Sequence, residues 1–186
     1  MVIKMKSDRI SKLTIAGVLV AIGIVIPIYS PVKILIEPAS FTLASHVVIF
    51  LAMFISPLMA IAVACGTAIG FVLSGLFPPV VWFRAFSHLI FAGFGAYYLH
   101  HSKTNMTAVK LRIFSVVIAL THGVTEIIVS STFYFAQNLG DLNEYIRLVI
   151  LLVGVGTFVH SLIDFEIALL IKKPLRRQRS LREIIK

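Results

Sequence analysis

Residues 40–100 read SFTLASHVVIFLAMFISPLMAIAVACGTAIGFVLSGLFPPVVWFRAFSHLIFAGFGAYYLH, and in that length only Arg84 carries a full charge. A bilayer span needs about 20 mostly apolar residues. The stretch holds three such runs, at 40–56, 58–76 and 80–100, the first of them short. Ser56-Pro57 separates the first two, because proline opens a helix more readily than it continues one. Gly75 to Pro79 is a tight turn between the next two. Outward from this stretch the same reading finds apolar runs at 10–29, 108–134 and 145–171. His100–Thr107 and Gln137–Glu144 are the polar loops between them. The pattern predicts a single-domain, all-α integral membrane protein of six transmembrane helices, with residues 172–186 as a basic tail.

Composition supports this. The 186 residues are 59% hydrophobic and 13% charged, with a mean hydropathy of +0.99. Soluble domains carry about 25% charge, so this chain has too few polar groups to cover a globule. The net charge is +9, which by itself would suit nucleic acid. The basic residues, however, lie in short loops and tails between apolar runs, which is the pattern of membrane orientation. No nucleic-acid partner is expected; the lipid bilayer is. Cys65 is the sole cysteine, which excludes an internal disulfide and cysteine-based zinc spacing. The basic N-terminus followed by an apolar run is similar to a signal peptide. No small-residue cleavage site follows, so we read it as a retained first helix.

Of 17 Lys and Arg residues, all but Lys33, Arg84 and Arg147 fall on one side of the six-span scheme. Lys4, Lys6, Arg9 and Lys12 precede the first span. Lys103, Lys110 and Arg112 surround the fourth-to-fifth connection, and the remaining seven lie from Lys172 onward. The positive-inside rule therefore puts both termini in the cytoplasm. The segment Tyr29–Phe41 (YSPVKILIEPASF) is too apolar for a plain connector. It predicts an ordered outer loop folded over the bundle, or an interfacial amphipathic segment, and Lys33 and Glu37 within it are close enough to pair.

Charged and polar side chains inside a membrane are costly and mark function by default. Arg84 and His88 are four apart on the fourth helix and share a face. A guanidinium fork matches a carboxylate, and an imidazole one turn away adds a donor. His46 belongs to the second helix. His122 and Glu126 form another i,i+4 pair on the fifth helix, with Ser130 a turn beyond. Trp82, Phe133 and Tyr134 fit either the wall of a cavity or an interfacial aromatic belt. Arg84 paired with Glu126 as a structural ion bridge is the competing reading of that residue. Together, Arg84, His88, His46, His122, Glu126, Trp82, Lys33, Tyr134 and Ser130 suggest a site for an anionic small molecule. His160 and Asp164 share a face on the inner half of the sixth helix. A structural hydrogen bond or a cytoplasmic contact suits them better than a proton relay. Arg147, near Asp141 and Glu144, reads as a surface residue.

Small residues form a second pattern: Ala16, Gly17 and Ala21 on the first helix, and Ala60, Ala64 and Ala68 in one strip on the third. Such residues let helices approach closely, either within the protein or against a partner. No HExxH, GxSxG, P-loop or paired-carboxylate motif is present. The chain is therefore not expected to be an enzyme, to hold a metal or to use ATP itself.

The compact six-helix plan, the basic N-terminus, the small-residue pair in the first helix, and the runs FTLASHVVIFLAMFISPLMAIAVACGTAIGF and RAFSHLIFAGFGAYYL resemble the S components of energy-coupling factor (ECF) vitamin transporters. The resemblance covers essentially the whole chain and is strongest to the niacin type. It implies high-affinity vitamin binding at the outer side, then docking to a transmembrane T component that carries two ATPase subunits. The ATP is used by those partners, and this chain needs no cofactor of its own. The family's AxxxA docking motif is replaced here by Gly17-xxx-Ala21, with Ala16 adjacent. The loop after the first helix corresponds to the family's substrate lid. A carboxylate-bearing vitamin is expected, niacin first and pantothenate next. A small stand-alone membrane enzyme using His122 or Glu126, and a structural assembly subunit, are the alternatives.

Overall fold

The computed structural model describes residues 2–36, 39–102, 106–137 and 140–178, with the backbone alone for 2–9 and Leu35. Helix α1 (Val2–Tyr29) leads into a two-stranded antiparallel hairpin, β1 (Lys33–Ile36) and β2 (Ala39–Thr42), in register Lys33 with Thr42 and Ile36 with Ala39. Then follow α2 (Val47–Met53), α3 (Pro57–Ser74), α4 (Pro79–His101), α5 (Ala108–Ala136) and α6 (Leu142–Leu175). Residues Ile146–Val155 of α6 are wound as a π-helix. Among the described residues, five helices are long and apolar enough to cross a membrane.

The expected second span, 40–56, takes a different form. Its first residues belong to β2 and to a turn, and only seven residues are helical. Seven residues rise about 10 Å, against a hydrocarbon core of about 30 Å. Helix α2 is apolar all round because every one of its residues is buried, packed against α1, α3, α4 and α6. An apolar run produced by burial inside a bundle reads like one produced by lipid. The other long helices carry their large apolar side chains outward, as Leu58, Leu73 and Leu13 do, each more than three-quarters exposed. Charged and imidazole groups, by contrast, are found at the centre. That inversion is what a bilayer selects.

Local chemistry sets the helix ends. Ser56 caps α3 by accepting from Met59 N at 3.1 Å, with Pro57 in the first turn. Gly75 closes α3 in the left-handed conformation (φ 66°), which glycine adopts at little cost. Thr107 caps α5 and Asp141 caps α6. Close helix approach follows small residues. An ideal Cβ on Gly66 would lie 2.8 Å from Val20 of α1, and one on Gly123 of α5 would lie 3.0 Å from the backbone oxygen of Gly154 on α6. Ala60, Ala64 and Ala68 are fully buried, packed on α1, α2 and α4. This corrects the docking expectation for those three: the strip is an internal seam. On α1, Ala16 is half-buried against the core, whereas Gly17 and Ala21 face outward.

The hairpin turns inward. Ala39 and Thr42 are buried while Ile34 and Ile36 are exposed. Phe41 fills the space that a side chain on Gly156 would take, and its ring lies 5.7 Å from that of His160. The predicted ordered loop over the bundle is thus a hairpin whose second strand packs against α6. Glu37, its proposed partner for Lys33, lies outside the described residues.

Candidate functional site

Two carboxylates organise the centre of the bundle. Glu126 of α5 accepts from Arg84 Nη2 and from Thr157 Oγ1, both at Oε2 and both at 2.6 Å. Its Oε1 lies 3.2 Å from His88 Nε2 and 3.4 Å from His122 Nε2. The helical repeat produces this convergence. Arg84 and His88 stand one turn apart on α4, His122 and Glu126 one turn apart on α5, and the two faces meet.

Asp164 of α6 is the second centre. Its Oδ1 accepts from Ala44 N at 2.7 Å and its Oδ2 from His46 N at 2.9 Å. Oδ2 also lies 3.2 Å from His46 Nδ1 and 3.3 Å from His160 Nε2. Ala44 has a positive φ of 68°, a conformation that costs a non-glycine residue about 1–2 kcal/mol. The two charge-assisted bonds to Asp164 offset that cost and fix the turn that delivers His46. Ser45 Oγ adds contacts to His160 Nε2 at 3.1 Å and to His46 Nδ1 at 3.2 Å.

His46 links the two centres. Its ring meets those of His88, His122 and His160 edge-on, with centroids 4.7, 4.6 and 5.1 Å away. The charged and imidazole groups of this network are all buried, and His122 and Asp164 have no exposed surface at all. Beside it lies a cavity of about 60 Å³, lined on its polar side by His46, Arg84, His88, Glu126, Thr157 and His160. Phe71, Phe77 and Val81 form apolar walls, and Phe41 and Thr42 of the hairpin also line it. A few convergent polar groups on an apolar wall is the usual construction of a small-molecule site. Ligand pockets commonly reach about 300–1,000 Å³, so a ring-sized ligand requires the walls to move apart.

Of the residues singled out in the sequence, Arg84, His88, His46, His122 and Glu126 come together here. The Arg84–Glu126 bridge considered as the competing reading is present as well. Trp82 does not line the cavity; it is half-buried behind the lining residues Phe71 and Ala85. Tyr134 packs on Phe135 and Tyr145 and donates to Asp141 O at 3.1 Å, tying the end of α5 to the start of α6. Ser130 is buried on α5 outside the cavity lining, and Lys33 is exposed on the hairpin. Arg147 is exposed.

Asp164 and His160 carry more than sequence reading gave them. The structural hydrogen bonds anticipated for Asp164 are present, and they hold the turn that carries His46. Glu166, two residues on, points elsewhere and pairs with Arg112 of α5. Thr157 and Ser45 carried no signal: isolated hydroxyls in apolar runs are common, and what distinguishes these two is the tertiary partner.

The chain is 43% identical over 169 residues to the niacin transporter NiaX of Lactococcus lactis subsp. cremoris (strain MG1363), an alignment covering 88% of this chain and 74% of the relative. The chain belongs to the NiaX niacin-transporter family. The family resemblance read from the sequence is borne out, and so is the reading of a multi-pass membrane protein of transport rather than of catalysis. No family model matches the chain, and no solved structure matches it. Membership in the NiaX family places the buried polar network in a vitamin transporter.

Proposed function

We propose that this chain is the niacin-binding S component of an ATP-driven ECF uptake transporter. The observation that carries the reading is the convergence of Arg84, His88 and His46 on one small cavity at the centre of an apolar bundle. The name of the NiaX relative supports niacin as the substrate. Nicotinate is a small planar acid. Its carboxylate suits the guanidinium fork, which offers five donors and is able to serve Glu126 and a ligand together. Its ring nitrogen suits an imidazole N–H. The small cavity favours it over pantothenate, which is longer and needs more hydroxyl partners.

The charge asymmetry of the chain supports cytoplasmic termini, with the hairpin outside. For docking to a T component the outward face of α1 is the available small-residue surface. A Cβ on Gly17 would meet nothing within 4 Å, and Ala21, one turn on, is exposed too. Leucine at either position would block close helix approach without touching the cavity. Gly17→Leu and Ala21→Leu are therefore expected to bind nicotinate normally in detergent and to lose most of its uptake in cells that express the T component and ATPases. Wild-type uptake by both variants would remove α1 from the docking surface. Failure of the wild-type chain to co-purify with a T component would remove the S-component reading.

A further inference from the structure

We propose that His46, His88 and His122 form a binding site for one divalent transition-metal ion of the Zn²⁺ class. One nitrogen from each of the three imidazoles lies within 4.8 Å of the others. Tetrahedral zinc holds its N ligands at about 2.0–2.2 Å, so ligand atoms stand about 3.3–3.6 Å from one another. The three imidazole nitrogens need only close from within 4.8 Å to that separation to hold the ion. Glu126 Oε1 lies beside the set, 3.2 Å from His88 Nε2 and 3.4 Å from His122 Nε2.

Two further observations point to an ion rather than to a closed hydrogen-bond network. His122 is fully buried, yet neither ring nitrogen has a hydrogen-bond partner among the described residues, and its Nε2 approaches Glu126 outside hydrogen-bond geometry. A buried imidazole without partners is costly, and metal coordination satisfies one nitrogen. Secondly, His46 is oriented as metal-bound histidines are. Its Nδ1 faces Asp164 Oδ2 at 3.2 Å, the carboxylate–histidine arrangement that fixes the ring and leaves Nε2 for a metal. A divalent ion there also places positive charge beside the carboxylate of a bound nicotinate, a step that rests on the niacin reading above. An imidazole-rich set selects Zn²⁺, Cu²⁺ or Ni²⁺ over Mg²⁺ and Ca²⁺. Sequence reading expected no metal because the ligands come from three separate segments with no local spacing.

The test uses the full chain in detergent, stripped with a chelator, then titrated with Zn²⁺ alone by calorimetry and with Co²⁺ by visible absorption. One Zn²⁺ per chain and the absorption of tetrahedral Co²⁺ are expected. His122→Ala and His46→Ala should each weaken Zn²⁺ binding at least about 100-fold, and Asp164→Asn, which weakens both the orienting carboxylate and the turn that carries His46, about 10- to 100-fold. Circular dichroism identifies any variant that fails to fold, and the wild-type stoichiometry stands independently of the variants. No saturable Zn²⁺ binding by the wild type would overturn the site. So would wild-type affinity in a folded His122→Ala, or loss of binding in His101→Ala, which removes an exposed histidine at the far end of α4. Nicotinate is then titrated with and without Zn²⁺. Equal affinities would overturn the charge linkage. Bound Zn²⁺ with no nicotinate binding in either state would overturn the niacin reading and leave the metal site standing.

Discussion

Glu126 accepts from the Arg84 guanidinium and the Thr157 hydroxyl, and lies beside the imidazoles of His88 and His122. Removing one member of such a buried ion pair strands the other, at about 3–5 kcal/mol. Arg84 pairs with Glu126, and on the proposed reading it also presents a fork to a ligand carboxylate. Arg84→Ala is expected to weaken nicotinate binding by about 2–5 kcal/mol, roughly 30- to 5,000-fold. Arg84→Lys keeps the charge but not the planar fork and should recover only part of that loss. Calorimetric titration of both variants checks this, and unchanged affinity in Arg84→Ala would remove the residue from the site. The pairs Arg84/His88 and His122/Glu126 were legible in the sequence because each is local, one helical turn. Their meeting was not, since nothing in the spacing of α4 says which face of α5 it touches. The meeting of Asp164 with His46 was illegible for the same reason: it depends on the hairpin and the turn at 43–46, which bring His46 to α6.

The elements follow two different rules. The five long helices were legible from apolar length alone, and their boundaries follow from Pro57, Gly75, Pro79, Thr107 and Asp141. The hairpin and α2 were not. KILI and ASFT are short apolar strands inside an apolar segment, and α2 is surrounded by protein, so neither has the alternation or the polar face that identifies an element. The π-helical stretch of α6 also left no mark in the sequence. It sits where α6 packs on α5 through Gly154 and Gly123, and it ends at Gly156 beneath Phe41. Gly123→Val would push against backbone that cannot yield cheaply. It is expected to cost about 1–3 kcal/mol of stability, read as a lower melting temperature in detergent. Gly17→Ala, at a position with nothing within 4 Å, is expected to leave stability unchanged or raise it by about 0.5–1 kcal/mol. Equal melting temperatures for the two variants would contradict the packing described for α5 and α6.

The whole molecule is apolar outside and polar at the centre, the reverse of a soluble globule. Its basic residues gather at one end of the span scheme, where they meet the positive-inside rule. Fourteen of the 17 Lys and Arg residues agree with that orientation, and the three exceptions serve separate positions: Arg84 is buried in the site, while Lys33 and Arg147 are exposed. The lone Cys65 makes orientation simple to measure. In a Cys65→Ser background, Lys33→Cys should react with an impermeant thiol reagent applied to intact cells, and Gln178→Cys should react only after lysis. Labelling of Gln178→Cys in intact cells would invert the topology.

The central claim is that the buried network around Arg84 and Glu126 recognises a small vitamin carboxylate without help from ATP. Equilibrium titration of the purified chain with nicotinate, in detergent and with no other subunit present, tests it most directly. Saturable, sub-micromolar binding of one nicotinate per chain, lost in Arg84→Ala, is the expected result. A wild-type chain that is folded and loaded with Zn²⁺ but shows no saturable binding of nicotinate would contradict the claim.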